Sequence, residues 1–368
     1  MHLYVHVPFC ARRCSYCDFA IAVRREVPSS QFAELIEREW TEWQNHAAWD
    51  ESPALDTIYF GGGTPSRLDP SAIARLLEAF QRNRPVISGA EVTLEANPDD
   101  VTRANADAWL SAGINRISLG AQSFDPSVLA WMHRTHDAVQ IGVAVRTLRE
   151  AGFTDVSLDL IYAVPQALGR DWTADLEQAL VLAPTHLSLY GLTVEPATPL
   201  GKWTARGESL SLDDDHAALE YLAAHARLEA AGFEHYEVSN AGLPGHRARH
   251  NAAYWRRAPF IGLGPSAHSG FGSIRRWNVR EWTEYRHRAE LGEPLLLEQE
   301  ALDDDQVNLE ALYLGLRTSD GLPGEKVPPD VTNRWIESGW AVVRESRVVL
   351  TPEGWLRLDA LVASLSRC

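Results

Sequence analysis

Three of the four cysteines in this 368-residue chain fall in the string PFCARRCSYCDF, as Cys10, Cys14 and Cys17. Thiolates at this C-x3-C-x2-C spacing can hold three irons of a four-iron cluster and leave the fourth iron without a protein ligand. An open metal position admits a substrate or cofactor, whereas a closed four-ligand site carries electrons or supports structure. A structural zinc is the competing use of the same thiols, with His2, His6 or Asp18 as fourth ligand. Disulfides need an even count and an oxidising compartment. The chain opens MHLYVHVPF, without the basic start or apolar core of a signal peptide, and no apolar run is long enough to span a bilayer. The expectation is a cytoplasmic protein with reduced thiols. Cys368, the last residue, reads as an inert terminal thiol.

The elements that must position these thiols follow a regular rhythm. Short runs rich in Val, Ile, Leu and Tyr begin at Leu3, Thr57, Glu91, Arg116, Asp155 and His186, and read as strands. Helical patterns lie between and after them, over 30–45, 70–82, 103–112, 138–151, 172–182 and 216–231. Asp69 with Pro70 marks one start, and Gly113, Gly152 and Gly232 mark three ends. Strand-then-helix units in series predict parallel strands and an α/β fold. A full eight-unit barrel takes roughly 250 residues, so the six units ending near Gly232 predict a partial (β/α)6 barrel. In such folds functional residues sit at the carboxyl ends of strands. Cys10, the glycines Gly61 to Gly63 with Thr64, Glu95, Gln122, Asp159 and the Thr193 region all fall there.

Beyond Gly232 the rhythm changes. His235 to Ala241 reads as a further strand, and Gly245 to Ser273, rich in Gly, His, Arg and aromatics, as a long ordered loop. Helical segments are expected over 280–291 and 305–316. A helix over 331–339, a hairpin turning at Glu345 and Ser346, and a terminal helix capped by Thr351 then resemble a small winged-helix module. The expected domains are 1–234, a connecting segment 235–300, and a smaller, mostly helical unit 301–368. The formal net charge of −16 repels phosphate backbones and argues against a nucleic-acid partner, the winged-helix pattern included.

C-x3-C-x2-C with Tyr16 before the last cysteine, placed after the first strand of a partial barrel, resembles the radical S-adenosylmethionine superfamily. That resemblance implies a [4Fe–4S] cluster on Cys10, Cys14 and Cys17, with S-adenosylmethionine on the open iron and reduced flavodoxin or ferredoxin as electron donor. YVHVPFCARRCSYCDF, YFGGGTPS, LEANPD, RISLGAQSF, LDLIYAVP and LSLYGLTVEPATPL further resemble the oxygen-independent coproporphyrinogen III oxidases, from Tyr4 to Leu200. By that likeness Tyr4, Tyr16, Gly62, Gly63, Thr64, Glu95, Gln122, Arg134 and Asp159 match positions that contact S-adenosylmethionine. Carboxylates suit an ammonium or ribose hydroxyls, and arginine suits a carboxylate. Taken apart from the likeness, the glycines make an ordinary βα turn, the carboxylates serve as caps or surface charges, and Asn97-Pro98-Asp99 is a helix entry.

The chain departs from those oxidases at Phe19, where they carry a further cysteine, and it lacks their amino-terminal extension. Both departures resemble the HemW-type haem chaperones. So does the string His250-Asn251-Ala252-Ala253-Tyr254-Trp255, which fits the H-N-x-x-Y-W pattern associated with haem there. The resemblance implies His250 as an axial ligand, Asn251, Tyr254 and Trp255 beside the porphyrin, and Arg247, Arg249, Arg256 and Arg257 toward its propionates. His268 is the next candidate, and reads first as a structural loop residue. The partner implied is a haem-acceptor protein, respiratory or membrane-associated, and coproporphyrinogen oxidation is not expected. Two readings stay open beside this one: an active coproporphyrinogen III oxidase, and a radical methyltransferase acting on haem or another tetrapyrrole.

Overall fold

The computed structural model describes residues 1–46, 54–208 and 212–365. In chain order the first half runs β1 (His2–Val7), β2 (Phe9–Cys10), β3 (Ala22–Val23), α1 (Ser29–Trp43), β4 (Leu55–Gly62), α2 (Pro70–Asn83), β5 (Val86–Ala96) and α3 (Arg103–Ala112). Then come β6 (Arg116–Gln122), α4 (Pro126–Trp131), α5 (Ala138–Ala151), β7 (Asp155–Tyr162), α6 (Trp172–Val181), β8 (His186–Gly191), α7 (Pro199–Ala205) and α8 (Asp214–Ala230). Strands β1, β4, β5, β6, β7 and β8 pair in parallel in that order. Local chemistry sets several ends. Asp137 and Gln140 form a capping box at the start of α5, and Gly113 and Gly152 close α3 and α5 in the left-handed conformation.

Strand alternation decides where the core sits. Leu3, Val5 and Val7 on β1, Ile58 and Phe60 on β4, Ile117 and Leu119 on β6, and Val156 and Leu158 on β7 are wholly buried in one apolar cluster with the helices. Each such side chain stabilises the fold by about 1.5–3 kcal/mol. The alternate positions send Tyr4, His6, Thr57, Tyr59, Thr93, Glu95, Ser118, Ser157, Asp159 and Ser188 to the other face. The core therefore lies between sheet and helices, and the inside of the barrel is polar. This differs from closed eight-stranded barrels, whose interiors are packed with branched apolar side chains.

The segment 245–273 is not a loop. It forms α9 (Arg249–Trp255), β11 (Phe260–Leu263) and β12 (His268–Phe271), preceded by β9 (Glu234–Glu237) and β10 (Asn240–Gly242) and followed by β13 (Ile274–Asn278), α10 (Trp282–Leu291) and β14 (Leu296–Ala301). The expected single strand over 235–241 is split into β9 and β10, which pair antiparallel beyond β8. Strand β11 adds to β1 in parallel, and β12, β13 and β14 continue antiparallel from it. Glycine made this stretch read as a loop, but here it permits close packing. A Cβ on Gly262 would stand 2.1 Å from the His268 carbonyl oxygen.

Glu39 of α1 fixes this added edge. Its buried carboxylate accepts from the Gly264 N–H (2.8 Å), Asn278 Nδ2 (2.6 Å) and the Tyr285 hydroxyl (2.6 Å). Burial, opposed by those three donors, lifts its pKa to about 7.

The last unit comprises α11 (Asp304–Leu316), β15 (Leu322–Pro323), α12 (Pro329–Glu337), β16 (Ala341–Arg344), β17 (Arg347–Leu350), α13 (Pro352–Trp355) and α14 (Leu358–Leu365). Its three strands pair in the order β15-β17-β16. The hairpin turns at Glu345 and Ser346, both with positive φ (48° and 62°), as a type I′ turn requires. Leu316, Val331, Trp335, Trp355 and Leu361 make a separate core, which Tyr221 of α8 joins. Cys368 lies outside the described residues.

Glu39→Gln turns an amide N–H₂ toward donors that need an acceptor. Stability is expected to fall by about 1–3 kcal/mol, read as a lower urea midpoint. An unchanged midpoint would show that the clamp is not what holds the β11–β13 edge.

Candidate functional site

The cysteine loop is tied down at both ends and in the middle. Strands β2 and β3 pair in parallel across its base, with Ala22 N–H on Pro8 O (2.7 Å) and Arg24 N–H on Cys10 O (2.9 Å). Ser15 links it to Met132 O (3.3 Å), the Leu200 N–H donates to Ser15 O (2.8 Å), and the His6 ring meets Ala20 O (2.9 Å). Tyr16 packs on the small apolar cluster of Val128, Met132, Ile161 and Leu200. Loops are ordinarily the mobile part of a barrel; these contacts make this one a fixed platform.

The loop closes one side of a cavity of about 420 Å³, lined at the carboxyl ends of β4 to β8. All three cysteines line it, and so do Tyr16, Gly62, Gly63, Thr64, Glu95, Gln122, Arg134 and Asp159. Tyr4 does not; it lines a neighbouring cavity. Among the described residues no three His, Cys, Asp or Glu side chains are grouped as a site for a single metal ion. A cluster held by one thiolate per iron sets its ligands farther apart than a mononuclear zinc does.

Donors surround the thiols. The Thr64 hydroxyl lies 3.5 Å from Cys10 Sγ and Arg134 Nη1 lies 3.6 Å from Cys14 Sγ. Burial pushes the Cys10 thiol up and Cys17 to about 11; a coordinated metal ion is what would hold these two as thiolates. Gly63 is needed for space: a Cβ there would stand 2.7 Å from Pro8 O and 3.0 Å from Cys10 Sγ. Gly62 has φ of +112°, and a Cβ would meet the His6 ring at 2.7 Å. These residues fit a four-iron cluster with an open iron.

The far wall carries the acid groups. Glu95 accepts from the Tyr59 hydroxyl (2.8 Å) and the Gly62 N–H (3.0 Å), and burial raises its pKa to about 7. Asp159 accepts from Ser118 Oγ (2.9 Å), and burial raises it to about 6. Arg134 Nη2 donates to Asn97 Oδ1 (2.6 Å) and Gly120 O (2.9 Å). Asn97, expected only to open a helix, is thus also the residue that aims Arg134. Gln122 sits at a register shift between β6 and β7 with φ of 68°, which turns it to the cavity. Tyr59 and Ser118 were not singled out from the sequence, although the alternation of β4 and β6 was an available signal for both.

The H-N-x-x-Y-W string forms α9, packed on the inward face of β4. His250 is buried, stacked on Tyr59 (ring centroids 5.0 Å apart, 25° between planes). Its Nδ1 meets Thr57 Oγ1 at 2.7 Å and its Nε2 meets the Tyr254 hydroxyl at 2.7 Å. Burial lowers its pKa to about 3. Glu91 accepts the backbone N–H groups of Arg249 and His250, both at 2.9 Å. Both ring nitrogens are therefore engaged, and His250 lines neither cavity. Asn251 and Trp255 line neither cavity, and Trp255 lies under the Arg317 guanidinium at 4.4 Å. Arg247 and Arg257 are paired with Glu234 and Glu310.

A family model described as the Radical SAM superfamily matches residues 4–178. A protein named "Heme chaperone HemW" from Mycobacterium tuberculosis is 35% identical over 371 residues, covering 99% of this chain and 94% of the relative. The chain belongs to the HemW family. A Bacillus subtilis protein of the same name is 31% identical and covers 96% of each chain. The Escherichia coli one is 36% identical over 78% of this chain and 74% of its own. Among solved structures, the coproporphyrinogen III oxidase HemN of Escherichia coli superposes with a TM-score of 0.80 over 99% of this chain and 89% of its own, at 22% identity; the fold is shared. For this HemW-family chain the radical S-adenosylmethionine match implies a [4Fe–4S] cluster and S-adenosylmethionine. No helix among the described residues is long and apolar enough to cross a membrane.

Gly63→Ala is expected to lower iron and sulfide content after anaerobic reconstitution well below wild type, at unchanged secondary structure by circular dichroism. Full loading would show that the Pro8–Gly63 approach does not shape the cluster site.

Proposed function

We propose that the chain is a haem chaperone. It holds a [4Fe–4S] cluster on Cys10, Cys14 and Cys17, S-adenosylmethionine in the adjoining cavity, and haem, which it passes to an acceptor protein. The observation that carries this reading is the 35% identity to a HemW chaperone across nearly the whole of both chains. Phe19, exposed at the cavity wall in place of the oxidases' extra cysteine, supports it against the oxidase reading.

In the proposed cofactor site the cluster supplies an open iron for the methionine end of S-adenosylmethionine and one electron for its cleavage. The Gly62–Gly63 turn lets backbone approach that end. Glu95 and Asp159 face the ammonium and the ribose hydroxyls, and Arg134 faces the carboxylate. Tyr254, on the same helix as His250, brings the H-N-x-x-Y-W string to the cavity next door, which gives that string a part in haem binding through its tyrosine. A reduced flavodoxin or ferredoxin is the proposed electron donor, and a respiratory, membrane-associated protein the proposed acceptor.

The deciding experiment offers haem and coproporphyrinogen III side by side to the anaerobically reconstituted protein with S-adenosylmethionine and dithionite. Stoichiometric haem binding without protoporphyrinogen formation is expected. Turnover of coproporphyrinogen at a catalytic rate would replace the chaperone reading by the oxidase one, and methylated tetrapyrrole would replace it by a methyltransferase.

The raised carboxyl pKa values give a pH signature. Asp159 and Glu95 are protonated below about 6 and 7 and ionise as pH rises. A cationic ligand is then held more tightly at pH 8 than at pH 6. Glu95→Gln should weaken S-adenosylmethionine binding at pH 8 by about 1.5–3 kcal/mol and flatten the pH profile, measured by equilibrium dialysis. A profile of wild-type steepness in that variant would remove Glu95 from the site.

A further inference from the structure

A second cavity, of about 470 Å³, adjoins the cluster cavity and shares Asp18, Phe19, Gly62 and Glu95 with it. Its volume lies in the range of small-molecule sites, roughly 300–1,000 Å³. Phe19, Phe260 and Tyr254 give it aromatic walls, while His268 and Arg280 stand at it as its basic groups besides the His6 imidazole. The neighbouring imidazoles differ in what they have free. His6 is buried, held between the Tyr4 hydroxyl (3.1 Å) and Ala20 O (2.9 Å). His250 is held on both nitrogens, as described above. His268 is the most open of the three; its ring stacks on Trp277 (5.6 Å, 25° between planes), and among the described residues neither of its nitrogens takes a hydrogen bond.

We infer that this second cavity is the haem site and that His268, not His250, supplies the imidazole to the iron; the inference rests on the haem-chaperone reading. A haem needs a flat apolar slot, an imidazole with a free lone pair, and a cation for its propionates. Phe19, Phe260 and Tyr254 supply apolar walls, with Phe260 set edge-on to Tyr254 (4.7 Å, 83° between planes) so that a plate can lie against one ring and end at the other, and His268 supplies the second. Arg280 supplies the third. One of its Nη groups donates to Asp18 O (2.7 Å), and among the described residues it makes no ion pair, in a chain whose formal net charge is −16.

The backbone that carries His268 is rigid. Gly262 N–H donates to Ser269 Oγ (2.9 Å), and Gly262 packs so closely on the His268 carbonyl that no Cβ fits between them. Asn278 N–H donates to Ala267 O (3.0 Å), and the Glu39 clamp holds Gly264 three residues upstream of Ala267. A ligand on such a frame is presented without ordering cost at binding. Partial burial also lowers the His268 pKa, which favours the neutral imidazole that ligates. The shared wall at Phe19 then sets the haem beside the S-adenosylmethionine cavity, with the side chain that distinguishes this chain from the oxidases lying between them.

The test titrates hemin into the reconstituted full-length wild type, His268→Ala and His250→Ala, and records resonance Raman spectra after reduction. Wild type and His250→Ala are expected to keep the iron–imidazole stretch. His268→Ala should lose it and lose affinity by at least the roughly 10- to 100-fold that removal of an outer-shell partner costs a metal site. Added free imidazole should restore the stretch in His268→Ala, which a merely misfolded variant would not permit. The stretch surviving in His268→Ala, or vanishing in His250→Ala alone, overturns the assignment while leaving haem carriage intact. Absence of specific haem binding by wild type overturns the chaperone reading itself, and the assignment with it.

Discussion

Strands β1 and β4 to β8 each turn an apolar face to the helices and a polar face inward, and most of the inward groups satisfy one another, Thr93 Oγ1 being the exception among the described residues. Tyr59 bonds Glu95, Ser118 bonds Asp159, and Ser157 bonds His186 at 2.7 Å. Burying such groups unpaired would cost on the order of 1–3 kcal/mol each. Paired, they line a hollow instead of a packed core. The hollow is what makes room for a cofactor, and the pairing is what fixes the direction of each group in it. Two carboxyls with raised pKa values on one wall follow from that alternation; the three thiols are placed by the tied-down loop after β1.

The helix carrying the H-N-x-x-Y-W string illustrates how far this constraint reaches. His250 continues the inward network, joining Thr57 to Tyr254 and stacking on Tyr59. Its chemistry is that of a buried, neutral, doubly hydrogen-bonded imidazole, which orients neighbours. The ring with free nitrogens is displaced eighteen positions along the chain, on a strand that glycine lets pack edge-on to the barrel.

Much of the fold was legible in the sequence. Alternation of short Val- and Ile-rich runs with amphipathic stretches located six strands and the long helices between them, because periods of two and 3.6 leave distinct marks, whereas the early start of β5 at Val86 and the short helices α4 and α7 were not expected. The hairpin at Glu345–Ser346 was legible from the apolar runs around it. The stretch 245–273 was not. Four-residue strands such as β11 are too short to show a period, and glycines that permit close strand packing carry the same letter as glycines that make turns.

For the candidate site, the sequence by itself, read with its family resemblance, supplied the residue types. Cys10, Cys14 and Cys17, the Gly62–Gly63 turn and the acids Glu95 and Asp159 could be named from motif and strand-end position, since local spacing and the end of a strand are local properties. Only the tertiary structure decided which imidazole is free, that Asn97 aims Arg134, that Glu39 of α1 holds an edge more than two hundred residues away, and that Tyr4 opens onto a second cavity. Those facts depend on which side chains meet across the barrel. Hydrogen-bond partners far apart in sequence leave no periodicity to read, and a histidine's availability is set by what surrounds it and not by its motif.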